Sequence, residues 1–87
     1  MDPSYKKPLE VRFRRIRDSY YLVRRNEVFE LDEVAFEIWR NCDGQKSFNE
    51  IIDILLDVFD VLDRDSVEND CKVFLEQAVS QGLLIRT

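Results

Sequence analysis

The side chains that could do chemistry in this sequence are two cysteines, Cys42 and Cys71, and eighteen carboxylates; there is no histidine to activate or complete any of them. Without an imidazole, a Ser-His-Asp triad, a Cys-His pair and the usual zinc sites are excluded together. The cysteines stand 29 residues apart and form no CxxC pair. They read as reduced, buried thiols that behave as small hydrophobes. Residues 60–70, DVLDRDSVEND, gather several carboxylates but lack the central glycine and the spacing of a calcium loop. Only two glycines occur, Gly44 and Gly82, so there is no Walker loop and no GxGxxG turn. The acidic residues recur at helical spacing, as they do on a solvated helix face. No catalytic residue, no metal and no cofactor is expected; what remains is a domain that binds.

At 87 residues the chain has room for one small domain with a modest core. An apolar fraction of 45% and an aromatic fraction of 11% are those of a folded protein. No apolar run is long enough to span a bilayer, and the opening MDPSYKKPLEV has no signal-peptide core, so a cytoplasmic location with no membrane partner is the expectation. Charge is distributed unevenly. Residues 1–25 hold eight basic and three acidic residues, net +5, and residues 26–87 hold five and fifteen, net −10.

The elements that must position any site follow from the hydrophobic period. Residues 1–8 read as a flexible tail before a single domain, 9–87. Leu9, Val11 and Phe13 alternate with Glu10, Arg12 and Arg14, SYYLVRR is aromatic and β-branched, and EVFEL puts Phe29 and Leu31 on one face with Val28 and Glu30 on the other. Three short antiparallel strands are predicted, with turns at Asp18-Ser19 and Arg25-Asn26. The period then becomes helical. Asp32 caps a helix whose stripe is Val34, Ala35, Ile38, Trp39 and Cys42, and Asp43-Gly44 stops it. SFNE, residues 47–50, is a capping box for a second helix with Ile51, Ile52, Leu55, Leu56 and Phe59 inward and Asp53, Asp57 and Asp60 outward. A third helix runs from about Asp65 to Gln81 on Val67, Cys71, Phe74, Leu75 and Ala78, with Gly82 as its stop. Residues 83–85, LLI, form an extended end that packs back on the core.

Strands followed by helices imply an α+β domain with the helices on one sheet face, an arrangement similar to a winged helix-turn-helix. Three strands cannot close into a barrel, so a sheet edge stays open. Two binding readings compete. A winged helix that reads DNA needs a basic face, yet the third helix offers Lys72 against Asp65, Glu68, Asp70 and Glu76, and phosphates would be repelled. No nucleic-acid partner is therefore expected, and a DNA-binding regulator stands as the alternative. An extended peptide added to the open edge fits better. Beside its core stripe the third helix carries Ser66, Asp70, Val73 and Gln77, and Val73 is an apolar residue off the core face, placed to wall a shallow groove.

Several ordered residues carry a family resemblance: Leu31-Asp32, Ile38, Cys42-Asp43-Gly44, Ile51, Leu55, Asp70-Cys71, Phe74-Leu75 and Gly82-Leu83-Leu84. The set, over about residues 20–85, resembles the PqqD-like peptide chaperones, or RiPP recognition elements. Asp32 stands where the family usually has Asn and Cys71 where it has Val, both conservative for capping and packing. The resemblance implies binding of the leader of a ribosomally made precursor peptide, antiparallel to the third strand and against the third helix. It also implies delivery of the precursor to a separate enzyme, a radical SAM peptide-modifying enzyme in preference to a leader peptidase. On that basis Glu27, Val28, Phe29, Glu30 and Leu31 supply the pairing strand and Val28 and Glu30 flank the leader. Asp70, Val73 and Gln77 lie opposite, and Arg24 and Arg25 hold a leader carboxylate.

Overall fold

The computed structural model describes residues 3–60 and 63–87. Residues 1 and 2 of the expected tail, and Val61 and Leu62 of the acidic stretch 60–70, lie outside the described residues. In order, the elements are β1 (Tyr5–Lys6), β2 (Val11–Ile16), β3 (Ser19–Arg24), β4 (Glu27–Leu31), α1 (Glu33–Arg40), α2 (Phe48–Val58), α3 (Arg64–Ser80) and β5 (Ile85–Arg86).

Strands β2, β3 and β4 form the expected antiparallel meander, in that spatial order. Its register follows from the alternation of side chains. Phe13, Leu22 and Phe29 face one another across the three strands, and Tyr20 and Leu31 make the next row inward. The opposite face carries the row Arg12, Val23, Val28 and the row Arg14, Tyr21, Glu30. Both hairpins turn on two residues, Arg17-Asp18 and Arg25-Asn26, so the first turn falls one residue earlier than expected. Each begins with an arginine in the left-handed region, Arg17 at φ 58° and Arg25 at φ 56°, a conformation that normally favours glycine.

The helices start where the sequence caps them. Asp32 accepts the Ala35 amide at 2.7 Å. Ser47 and Glu50 form the reciprocal box, with the Glu50 amide on Ser47 Oγ at 3.2 Å and the Ser47 amide on Glu50 Oε1 at 3.1 Å. Asp63 caps α3 by accepting from the Ser66 amide at 3.0 Å. Ile38, Trp39, Ile51, Ile52, Leu55, Val67, Cys71, Leu75 and Ala78 are buried from the three helices, with Leu22 and Leu31 from the sheet and Leu83 and Leu84 from the C-terminal end. Phe13, Tyr20 and Phe36 pack beside them, and the Tyr20 and Phe36 rings are parallel with centroids 4.2 Å apart.

Two expectations need correction. Residues 3–8 are not a loose tail: Tyr5 and Pro8 are buried, and β1 pairs antiparallel with β5, Tyr5 opposite Arg86 and Lys6 opposite Ile85. The Tyr5 carbonyl also accepts the Gly44 amide at 2.7 Å. A burial-competent aromatic and a two-residue ladder are enough to fix this segment. Leu9, read as an inward residue of the first strand, is fully exposed (101%). Residues 9 and 10 form a turn, closed by the Val11 amide on the Pro8 carbonyl at 3.3 Å, and the strand starts only after it.

Candidate functional site

Among the described residues the sheet has two free edges, β2 and β4. Among the described residues β4 pairs only with β3, so the N–H and C=O groups along its other side have no strand partner. Facing that edge is α3. A cleft lies between strand and helix. One part, about 180 Å³, lies between Phe29, Glu30 and Leu31 of β4 and Phe74, Gln77, Ala78 and Gln81 of α3. A second part, about 480 Å³, lies between Asp32, Val34 and Ala35 at the start of α1 and Asn69, Asp70, Val73 and Phe74 of α3. Asp32, Ala35, Phe74 and Gln77 line both, so the two parts are one groove. From Asp70 to Gln81 the helix advances roughly 16 Å at 1.5 Å per residue. Five strand residues at about 3.3 Å span the same length. The groove therefore suits an extended guest of about five residues.

The expected site residues separate into three sets. Asp70, Val73 and Gln77 come together on the cleft wall, and Phe29, Glu30 and Leu31 line the facing side. Glu27 and Val28 lie on the same open strand, with Val28 on the outer face of the sheet and 63% exposed. Arg24 and Arg25 are not brought to the groove. Strand alternation puts Arg24 on the same face as Leu22, where its guanidinium packs 3.0 Å from the point a Cβ on Gly82 would occupy and Nε lies 4.0 Å from Glu10. Gly82 has φ 74°, a backbone conformation that demands glycine there. Arg25 stands at a hairpin tip.

Sequence reasoning missed the groove walls contributed by Asp32, Val34, Ala35 and Phe74. Val34, Ala35 and Phe74 carried a signal, since each was assigned to a core stripe, but each is only partly buried and lies where the stripe meets the cleft. A further cavity of about 470 Å³ was not anticipated at all. It lies on another side of α1, lined by Phe13, Tyr20, Phe36, Phe59 and Val58 with Arg15 and Arg40 at the aromatic faces.

The reactive groups are elsewhere and subdued. Burial and the neighbouring Cys71 push the Cys42 thiol up to about 12, and burial alone pushes Cys71 up to about 12. Both are free thiols. Lys7 lies over the Trp39 ring, 4.9 Å from its centroid, and donates to the Arg40 carbonyl at 2.9 Å; burial lowers its pKa. Among the described residues no three His, Cys, Asp or Glu side chains are grouped to hold a metal ion.

The meander, the three helices and the cleft define a small winged-helix-like domain with a strand edge and a helix set to receive an extended chain. The protein belongs to the PqqD family: the family model for coenzyme PQQ synthesis protein D (PqqD) matches residues 20–84. It is 28% identical over 82 residues to a PqqA binding protein of Rhodopseudomonas palustris (strain BisB5), covering 94% of this chain and 79% of that one. It is similar to the structure of TbiB1 in complex with the TbiA(beta) leader peptide, with TM-score 0.77 and 30% identity over 91% of this chain and 93% of that one. It is also similar to the solution structure of the PqqD truncation of Methylobacterium extorquens PqqCD, a functional, stand-alone RiPP recognition element. There the TM-score is 0.78 and the identity 26%, over 94% and 88% of the two chains. Nothing in these likenesses supports the DNA-binding alternative.

Proposed function

We propose that this chain binds the leader of a ribosomally made precursor peptide by strand addition, and hands the precursor to a modifying enzyme. The leader lies antiparallel to β4, pairs with Glu27–Leu31 and rests its groove-facing side chains on Val73, Phe74 and Gln77. The observation that carries this reading is the unpaired edge of β4 running beside a cleft walled by α3. The likeness to a leader-bound structure at 30% identity over nearly the whole chain supports it. Each main-chain hydrogen bond contributes about 0.5–1.5 kcal/mol net. The interface is small, on the order of 1,000–1,200 Å², and the expected dissociation constant is micromolar to submicromolar, about −8 kcal/mol.

The domain raises a reaction rate with no reactive group of its own. Holding the leader while the core segment stays free lifts the core's effective concentration at the enzyme. The receiver in this reading is a radical SAM peptide-modifying enzyme, with a leader peptidase as the alternative. The test is a titration of the 15N-labelled protein with the leader of the precursor encoded beside its gene. Amides of residues 27–31 should shift and gain exchange protection, with smaller shifts at 70, 73 and 77. Saturable binding that leaves β4 unprotected would refute strand addition, and absence of binding would refute the leader reading.

A further inference from the structure

We infer that the guest this groove selects carries a lysine or arginine two residues N-terminal to an apolar anchor. The inference rests on the leader-binding reading and assigns the charge and spacing of the motif.

The cleft has an apolar floor from Val34, Ala35, Val73 and Phe74, with a carboxylate on each wall, Asp32 and Asp70. Among the described residues no lysine or arginine lines either part of it. Asp32 uses Oδ1 to cap α1, at 2.7 Å from the Ala35 amide, which leaves Oδ2 for a ligand. Asp70 makes no ion pair among the described residues, whereas Asp43, Asp53 and Glu68 each have a basic partner within 3.1 Å. Several arginines lie or pair elsewhere. Arg24 lies against Gly82 with its Nε 4.0 Å from Glu10, and Arg64 bonds Asp53 and Glu68 at 3.1 and 3.0 Å. Arg12, Arg14, Arg15 and Arg17 belong to the other edge strand and its hairpin.

Spacing follows from two periods. Asp70 and Val73 are one helical turn apart, about 5–6 Å between Cβ atoms. In a strand, residues i and i+2 share a face about 6.6 Å apart. A guest that sets an apolar residue on Val73 and Phe74 thus presents its next groove-facing side chain at Asp70 and Asp32. Antiparallel to β4, that position is the N-terminal one. An ammonium or guanidinium there enters a part of the groove that Asp32 and Asp70 both line.

The test uses a cellulose-bound array of nonapeptides, randomised at two alternate positions, probed with the labelled wild-type protein and with Asp32→Asn/Asp70→Asn. Asn caps a helix as well as Asp, so the variant keeps α1. Enrichment of Lys or Arg two residues before an aliphatic or aromatic residue is expected, as is about 3- to 10-fold weaker capture of those peptides by the variant. The preference should also fall between 50 and 300 mM salt. Capture of neutral or acidic motifs, equal for both proteins, overturns the charge assignment and leaves the leader reading standing. Capture of no extended peptide by the folded wild type overturns both.

Discussion

Replacing Val73 with serine tests the groove where its energy is most easily counted. The valine is 45% exposed in the free protein, so a guest has that fraction left to cover. Full burial of such a side chain is worth about 1.5–3 kcal/mol, and the uncovered part about 0.7–1.4 kcal/mol. Val73→Ser should therefore weaken leader binding by about 3- to 10-fold. Val73→Arg, which also sets a long charged chain across the cleft, should weaken it further. Valine and serine have similar helix propensity, and the part of Val73 already covered in the free protein is worth about 0.8–1.7 kcal/mol on the same scale, so stability should fall by no more than that. Val58 supplies the matched control: it is 49% exposed, but it lines the cavity on another side of α1, and Val58→Ser should leave affinity unchanged. The assay is fluorescence anisotropy of a labelled leader, with thermal unfolding followed through Trp39. Wild-type affinity within a factor of about 1.5 for Val73→Ser, in a variant still fully folded at the assay temperature, would remove this helix face from the site.

The remaining expectations concern the scaffold. With both thiols pushed up to about 12 and buried, Cys42 and Cys71 should react with Ellman's reagent at pH 8 only as the protein opens, so that labelling accelerates with urea; rapid stoichiometric labelling of the native protein would contradict their packing. Arg25→Gly relieves a left-handed arginine and should raise stability in urea unfolding by about 0.5–1 kcal/mol; a loss would mean that the side chain does more at the hairpin tip than its exposure indicates. The Asp43 carboxylate accepts from the Lys46 ammonium at 2.7 Å and from the Gln45 and Lys46 amides at 2.9 Å, which holds it well below the usual carboxylate range. Its contribution is complete above about pH 4, the unfolded value, and is lost as pH falls through the lower folded value. Asp43→Asn should therefore flatten the decline of urea midpoints between pH 4 and 2, and an unchanged slope would assign the decline to other groups.

What the sequence disclosed and what it hid divide by the range of the interaction. Asp32, Ser47 with Glu50, and the stripe Ile51, Ile52, Leu55 act within one or two turns of helix, and each stands where its spacing puts it. The open edge and the stripe Asp70, Val73, Gln77 were legible for the same reason: a three-strand count and a helical period suffice. β1 was not, because a two-residue ladder to Ile85–Arg86 has no period, and its partner lies at the far end of the chain. Arg24 was misplaced although alternation from the buried Leu22 points it inward. The helix end that receives it, at Gly82, becomes its neighbour only in three dimensions. The groove itself is a gap between elements, so its walls at Val34 and Phe74 looked like core until the distance between strand and helix was known.

The β1–β5 pair brings distant parts of the chain side by side. The Thr87 amide donates to the Ser4 carbonyl at 2.9 Å, and the Thr87 hydroxyl to the same oxygen at 3.1 Å, across 83 residues of sequence. A domain whose first and last strands pair can be spliced into a surface turn of a host protein without stretching either. The receptive edge of β4 belongs to the other sheet, so the seam where such a graft would be stitched and the rim that takes a visitor draw on separate hydrogen-bond ladders.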